Sequence, residues 1–464
     1  MKLSDTDSIA AIATPAGVGA IAIVRLSGSN ALEIADRVFR GHIKITEARG
    51  FSVHHGHILS PEGSIVDEVL ATVFRSPQSY TGEDLVEFSC HGGMFVTQAV
   101  LDSALRSGAR PAEPGEFSKR AFLNGRMDLS QAEAVADLIA ARSDRARAAS
   151  VQQLEGKLGS KVEQLRAGLT DLCALLELDL DFSEERMDLV TREEIERRIS
   201  DIHMLLGAML ETYEAGKIAR DGVVVVLVGR PNAGKSSLFN SLLRERRAIV
   251  TSMPGTTRDT LEEAISIGGV LFRLVDTAGL REATDQAERE GVNRTFEQAE
   301  AADIILLVED VTYNVDPAEI EAALDTLLKN QHLIVAMNKN DLVCWEPDLV
   351  QYDPFCKRGA RIVKVSAKTG EGLEGLRREL FDAVTSGKIQ SGEDVVLTSR
   401  RHRDVIMRAR EDLSFALDTL HAGRTNEFIA LDIRGALNHL GEVTGAVTSD
   451  EILNSVFSRF CIGK

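Results

Sequence analysis

The amino-acid sequence predicts a multidomain α/β protein that also carries an all-helical portion. Three observations predict it. Apolar residues recur at strand spacing near the N-terminus and at helical spacing from about Met127. Continuous β-branched runs, typical of strands buried on both faces of a parallel sheet, then alternate with helical segments between residues 222 and 386. A glycine-rich loop lies between one such strand and a helix, as in doubly wound domains. At about 100–200 residues per domain, 464 residues correspond to two to four domains.

Residues 1–120 are mixed. Ile21–Val24 and Val69–Phe74 read as strands with Gly and Pro between elements. Residues 121–221 read as helical. Ser130-Gln131-Ala132-Glu133 has capping-box form, with Ser accepting a free backbone N–H and Glu bonding back. Leu165, Leu169, Leu172 and Leu176 form one helical stripe, and Ile195, Ile199, Ile202, Leu206 and Met209 another. Such stripes are what a helix bundle buries. Strands are expected at Val223–Val228, Ile304–Val308, Leu333–Met337 and Arg361–Val365. Glu263–Ile267 and Val270–Asp276 flank Gly268-Gly269 as a hairpin. After a Gly/Ser-containing linker near Ser386 the tail is helical again, with stripes Leu413/Leu417/Leu420 and Ile429/Ile433/Leu437/Leu440.

Chemistry concentrates between Gly229 and Lys368. Gly229-Arg230-Pro231-Asn232-Ala233-Gly234-Lys235-Ser236-Ser237 fits the phosphate-loop pattern. Its glycines let backbone N–H groups curl around phosphates, Lys235 reaches the β- and γ-phosphates, and the Ser236 hydroxyl ligates Mg²⁺. Asp276-Thr277-Ala278-Gly279 closes the hairpin: the Asp is placed to hold Mg²⁺ through water, and the Gly279 N–H to sense a γ-phosphate. Asn338-Lys339-Asn340-Asp341 follows a strand. A carboxylate there accepts from guanine N1–H and N2–H₂, donors that adenine lacks, so GTP and GDP are the expected ligands. Ser366-Ala367-Lys368 completes the base pocket. The position after Gly279, where many such proteins carry a water-orienting Gln, is Leu280. Arg258 and Arg281 are candidates for a catalytic cation, and a monovalent cation is the other source.

The remaining composition bounds the partners. A net charge of −18 argues against a broad nucleic-acid surface, so a local patch or a second protein must supply positive charge for any such contact. Five scattered cysteines, Cys90, Cys173, Cys344, Cys356 and Cys461, contain no CxxC pair and suggest neither zinc nor a disulfide framework. No stretch approaches the ~20 apolar residues of a membrane span, and the N-terminus lacks the pattern of a secretory signal. A cytoplasmic location, away from membranes, is the expectation.

Motifs outside the nucleotide site carry a resemblance. They are Ala13-Thr14-Pro15, Val24-Arg25-Leu26-Ser27-Gly28, Tyr80-Thr81-Gly82-Glu83-Asp84 and His91-Gly92-Gly93. Further ones are Arg110-Pro111, Pro114-Gly115-Glu116-Phe117-Ser118, Ala121-Phe122-Leu123-Asn124-Gly125-Arg126 and the terminal Phe460-Cys461-Ile462-Gly463-Lys464. From end to end the chain resembles the MnmE (TrmE) family of tRNA modification GTPases.

The resemblance implies a P-loop GTPase domain, doubly wound and Ras-like, at residues 222–386. It would be inserted in an all-α domain formed by 121–221 and 387–464, preceded by an α+β folate-binding and dimerisation domain at 1–120. It also implies a homodimer that joins the flavoprotein MnmG (GidA) in a heterotetramer. That complex installs a 5-(carboxymethyl)aminomethyl group on the wobble uridine of certain tRNAs. A tetrahydrofolate derivative, 5-formyl- or 5,10-methylene-, is the implied cofactor. Asn232, Thr251, Met253 and Thr256 would coordinate K⁺ when two G domains meet, and K⁺ would supply the charge an arginine finger supplies elsewhere. Thr257 would join Ser236 on Mg²⁺. Glu288 would orient the attacking water, although Glu290 lies two residues on and spacing does not choose between them. Arg25, Glu87, Arg126 and Lys464 fall at folate-contact positions, with Arg126 standing where Lys is common. Cys461 is either a nucleophile or a packed, inert thiol.

Two rival readings share these motifs. One is a ribosome-assembly or translation-factor type switch, which leaves the non-nucleotide segments without a purpose. The other is a scaffold that recruits MnmG while GTP toggles its shape. Trp345, four residues past Asp341, is expected to report guanine-nucleotide binding by fluorescence.

Overall fold

The computed structural model describes residues 7–181, 191–244, 262–276, 302–313, 331–343, 353–357, 359–385 and 396–464. These fall into two compact units: residues 1–136, 153–203 and 408–464, and residues 137–152 and 204–407. The helical segments contribute to both units.

The first unit contains a seven-stranded sheet of β1 (Ser8–Ile12), β2 (Ile21–Gly28), β3 (Phe39–Gly41), β4 (Ser52–Leu59), β5 (Ile65–Phe74), β6 (Leu85–His91) and β7 (Arg110–Pro111). Its order is β3-β4-β5-β6-β2-β1-β7, antiparallel except for β1 with β7. Period-two alternation sorts the side chains. Val24 and Leu26 of β2, with Val86, Phe88 and Cys90 of β6, enter a core completed by residues of helices Ala31–Val38 and Met94–Arg106. Arg25 and Glu87 alternate to the opposite face and lie directly across from each other in the β2–β6 register.

The expected helical stripes are core. Leu165, Leu169, Leu172 and Leu176 are buried on helix Lys157–Asp181. Ile195, Ile199, Ile202, Leu206 and Met209 are buried on helix Arg192–Glu211. In helices Arg400–His421 and Asn426–Thr444, Leu417 and Leu437 are only half-buried. The adjacent Ala416 and Ala436 take the core positions, because the 3.6-residue period drifts between i+3 and i+4.

The capping-box expectation is corrected. Helix Leu129–Ala140 starts before Ser130, and its cap is Asp128. Asp128 Oδ1 accepts from Gln131 N at 2.8 Å, and Gln131 Oε1 accepts from Asp128 N at 2.9 Å. The Ser130 hydroxyl itself donates to Asp128 Oδ1 at 2.6 Å. The reciprocal box is therefore Asp128–Gln131. An Asp at the cap also places negative charge at the positive end of the helix dipole.

The second unit holds a six-stranded sheet: β8 (Val223–Val228), β9 (Glu262–Ile267), β10 (Val270–Asp276), β11 (Ile304–Asp310), β12 (His332–Asn338) and β13 (Arg361–Lys364). The order is β13-β12-β11-β8-β10-β9, parallel except for the β9–β10 hairpin. The continuous apolar runs have a simple cause. Val223, Val225 and Leu227 enter one core layer while Val226 and Val228 enter the other. Ile304, Leu306 and Val308 against Ile305 and Leu307 repeat the division. Helices Lys235–Arg244 and Leu373–Thr385 contribute Leu238, Leu242, Leu376 and Leu380 to the first layer. Among the described residues, no helix is long and apolar enough to cross a membrane.

Candidate functional site

The carboxyl ends of β8, β10, β11 and β12 supply one site, where doubly wound sheets characteristically bind ligands. The loop between β8 and helix Lys235–Arg244 requires unusual backbone. Gly229 and Gly234 adopt φ of 145° and 93°. A Cβ on Gly229 would lie 2.2 Å from the Val308 carbonyl oxygen, and one on Gly234 2.2 Å from Asn338 Nδ2. Asn232 also takes a left-handed φ of 62°, which Asn tolerates better than most residues. Lys235 is 8 % exposed, and its ammonium donates to the carbonyls of Gly229 and Arg230, both at 2.8 Å. The Ser236 hydroxyl donates to Asp276 Oδ2 at 2.9 Å. A hydroxyl and a carboxylate this close are the oxygen donors a hard divalent cation takes. Ala233 is buried, while the Ser237 side chain is exposed on the first turn of the helix.

The base side is tied to this loop by one side chain. Asn338 is 1 % exposed. Its Nδ2 donates to the Ala233 carbonyl at 2.9 Å, and its Oδ1 accepts from the Ala367 N–H at 3.0 Å. The Asp341 carboxylate is aimed by the Ser366 hydroxyl, which donates to Oδ1 at 2.7 Å and is itself fully buried. Lys339, at φ 64°, pairs with Asp310 at 2.6 Å. Lys368 is exposed beyond Ala367. Glu309, beside Asp310, is buried, and burial raises its carboxyl to about 7. Asp310 adds to that rise, while Arg230 and Lys235 oppose it.

A second site lies on the open face of β2 and β6. Arg25 Nε donates to Glu87 Oε1 at 2.8 Å, and its Nη1 donates to the Gly463 carbonyl at 3.3 Å. The guanidinium lies 5.1 Å from the Tyr80 ring centre and 5.5 Å from that of Phe117. Lys464 Nζ lies 6.0 Å from the Tyr80 ring, and burial followed by repulsion from Arg25 lowers its ammonium pKa. Arg126 Nε donates to the Ser79 carbonyl at 3.0 Å, beside Tyr80. Residues more than 300 positions apart in the chain therefore converge on one cluster of cations, a carboxylate and an aromatic ring. The tail is held there because Gly463, at φ 96°, sits against β1: a Cβ would lie 2.2 Å from the Ile12 carbonyl oxygen. Phe460 packs on Phe457, whereas the Cys461 thiol is exposed, so the packed alternative for that thiol does not hold.

The profile described as "GTP-binding protein TrmE N-terminus" matches residues 8–126, and the one described as "MnmE helical domain" matches residues 129–461. The tRNA modification GTPase MnmE of Salinibacter ruber is 44 % identical over 469 residues, covering 100 % of each chain. That of Chlorobium chlorochromatii is 42 % identical over 465 residues, covering 99 % of this chain and 98 % of that one. The chain belongs to the MnmE (TrmE) family of tRNA modification GTPases. As in that family, it is a GTP-binding, GTP-hydrolysing enzyme with a P-loop GTPase domain.

The structure of this MnmE-family chain adds residues that motif reading did not single out. Glu309 and Asp310 end β11, the strand beside Asn338, with Asp310 opposite Asn338 in the register. The signal was available, since parallel strands place their carboxyl ends together. Tyr80 and Phe117 lie in stretches that carry the family resemblance, yet only the fold reveals that they flank Arg25. Thr251, Met253, Thr256, Thr257, Arg258, Thr277, Ala278, Gly279, Leu280, Arg281, Glu288, Glu290 and Trp345 lie outside the described residues.

Proposed function

We propose that the chain hydrolyses GTP in a K⁺-dependent cycle and, with an MnmG flavoprotein, modifies the wobble uridine of tRNA using a one-carbon unit carried by tetrahydrofolate. The observation that carries this reading is the full-length match to proteins named tRNA modification GTPase MnmE, in a chain that holds both a guanine site and a cation–carboxylate–aromatic cluster.

In hydrolysis, water attacks the γ-phosphorus, the bond to the β–γ bridging oxygen breaks, and GDP and phosphate leave. Lys235 and the loop amides hold the phosphates, and Asp341 with Ser366 reads the base. Ser236 and Asp276 would hold Mg²⁺, with Thr257 as the further ligand, and the ion would neutralise charge growing on the phosphate oxygens. Asn232, exposed at the loop and joined by Thr251, Met253 and Thr256, would hold K⁺, which would provide a further positive charge. Glu288 would orient the water, with Arg281 a second cationic contributor.

The β2–β6 cluster fits a folate chemically. Glu87 offers a carboxylate to the donors of a pterin ring, Tyr80 an aromatic face, and Arg25, Lys464 and Arg126 cations for a carboxylated tail. The bound folate would supply the one-carbon unit. Residues 1–120 would also dimerise the chain, residues 222–386 would form the G domain, and 121–221 with 387–464 the helical domain, in a cytoplasmic protein.

The test compares GTP hydrolysis in K⁺ and in Na⁺ at equal ionic strength, in wild type and Glu288→Ala, with mass analysis of tRNA wobble uridines in cells with and without the protein. Faster hydrolysis in K⁺ that Glu288→Ala abolishes, together with modified uridine only when the protein is present, is expected. Equal rates in both salts, or uridine modified regardless of the protein, overturns the reading.

A further inference from the structure

An acidic chain that acts on tRNA needs a local positive surface, since at −18 the whole molecule repels phosphates. The unit of residues 137–152 and 204–407 carries two arginine-rich segments. Residues 396–403 hold Arg400, Arg401 and Arg403 and no carboxylate, and residues 142–147 hold Arg142, Arg145 and Arg147 against one Asp. Arg220 ties the first of them to the helix that precedes the other: its Nη1 donates to the Thr398 carbonyl at 3.4 Å, and its Nη2 pairs with Asp137, five residues before Arg142, at 2.9 Å. Helix Tyr213–Asp221, which carries Arg220 and Lys217, packs closely on residues 396–403; a Cβ on Gly216 would lie 2.1 Å from the Leu397 carbonyl oxygen.

We infer that Arg142, Arg147, Lys217, Arg400, Arg401 and Arg403 form a surface that contacts the phosphate backbone of tRNA. The inference rests on the proposed tRNA reading. Arg400 is 80 %, Arg147 60 % and Lys217 41 % exposed, with Lys217 3.7 Å from Asp303, while Arg401 and Arg403 are half-buried. Their placement is not explained by helix stability. Three cations occupy the first turn of helix Arg400–His421, where the helix dipole favours Asp or Glu, and that turn holds no acidic residue among its first positions. The acid next along the chain, Asp404, lies 2.6 Å from Arg403 and 3.5 Å from Arg400. Surface pairs of this kind are worth about 0–1 kcal/mol, so phosphates can replace them. Arg403 also lies 4.7 Å from the ring centre of Tyr213, which holds its guanidinium beside the helix that carries Lys217.

The test measures anisotropy of a labelled tRNA titrated with the GDP-bound full chain across a salt series. About four phosphate contacts give a log–log salt slope near −3 for the wild type. The triple variant Arg142→Glu/Arg400→Glu/Arg401→Glu is expected to bind at least about tenfold more weakly with a slope shallower by about 2. The matching Arg→Lys triple is expected to stay within about threefold of wild type, since a phosphate contact needs the charge more than the fork. Unchanged GDP affinity and circular dichroism show that the variants fold. A wild type without salt-dependent tRNA binding, or a charge-reversed variant that binds tRNA like wild type, overturns the inference. So does a variant that keeps tRNA and loses an acidic protein partner instead. The uridine analysis in cells keeps the two readings apart: wild-type modification with unaltered variant binding refutes only the surface, whereas failure of the wild type to modify refutes the function beneath it.

Discussion

Replacing Asn338 by Ala tests whether the phosphate loop and the base loop act as one rigid unit. The Asn338 carboxamide spans them, donating to the Ala233 carbonyl and accepting from the Ala367 N–H at 2.9 and 3.0 Å, in a site that is almost fully buried. Truncation leaves one backbone acceptor and one backbone donor without partners. Each such group costs about 1–3 kcal/mol, so the total is about 2–6 kcal/mol. Water entering the space left behind moves the cost toward the lower bound. At 1.4 kcal/mol per tenfold, the lower bound corresponds to about a 30-fold loss. Because both orphaned groups belong to the loops proposed to hold the nucleotide, the cost is expected mainly in GDP affinity, with a smaller fall in the melting temperature of the nucleotide-free chain. Calorimetric titration with GDP and thermal unfolding with and without nucleotide measure the two parts. GDP affinity within threefold of wild type would show that the loops do not depend on this bridge, and the geometric argument would fail.

Three further outcomes follow from the structure. Gly463→Ala places a Cβ against the Ile12 carbonyl at a left-handed φ that costs about 1–2 kcal/mol in addition to the clash, so the tail lifts from Arg25. Tetrahydrofolate affinity is then expected to fall about tenfold or more while GDP affinity stays fixed; equal folate binding by equilibrium dialysis would refute the role of the tail. The Glu309 carboxyl titrates near 7 when folded against 4.5 ordinarily. Between those values the folded chain binds the extra proton, so this group lowers stability as pH rises from about 4.5 to about 7 and keeps it low above. Glu309→Gln removes that penalty, up to about 3 kcal/mol, and denaturation at pH 5 and pH 8 should show the variant gaining only at the higher pH. Asp128→Ala should cost about 1–2 kcal/mol in urea unfolding, and Ser130→Ala clearly less; the reverse ranking would restore Ser130 as the cap.

Much of the nucleotide site was legible because its parts are local in sequence. A glycine loop after a buried strand, an Asp at a hairpin's end and an Asp three residues after Asn338 each carry their own pattern. The parallel order of β13, β12, β11 and β8 follows from continuous apolar runs that must be buried on both faces. The sequence does not fix the helix start at Asp128, because Ser130-Gln131-Ala132-Glu133 and Asp128-Leu129-Ser130-Gln131 both satisfy the capping pattern, and only backbone geometry selects between them. The drift from Leu417 and Leu437 to Ala416 and Ala436 is likewise invisible to a stripe counted in whole residues.

What the sequence determined by itself was the family, the guanine-reading motif and the elements that carry them, because these depend on residue type and spacing over a few turns or strands. What the tertiary structure decided was company. Arg25 meets Glu87 through strand register, Gly463 through the path of the tail and Tyr80 through a loop, while Glu309 titrates near 7 only because burial outweighs the opposing pull of Arg230 and Lys235. Desolvation and cross-chain contact depend on where distant segments come to rest, and a linear pattern does not contain that distance.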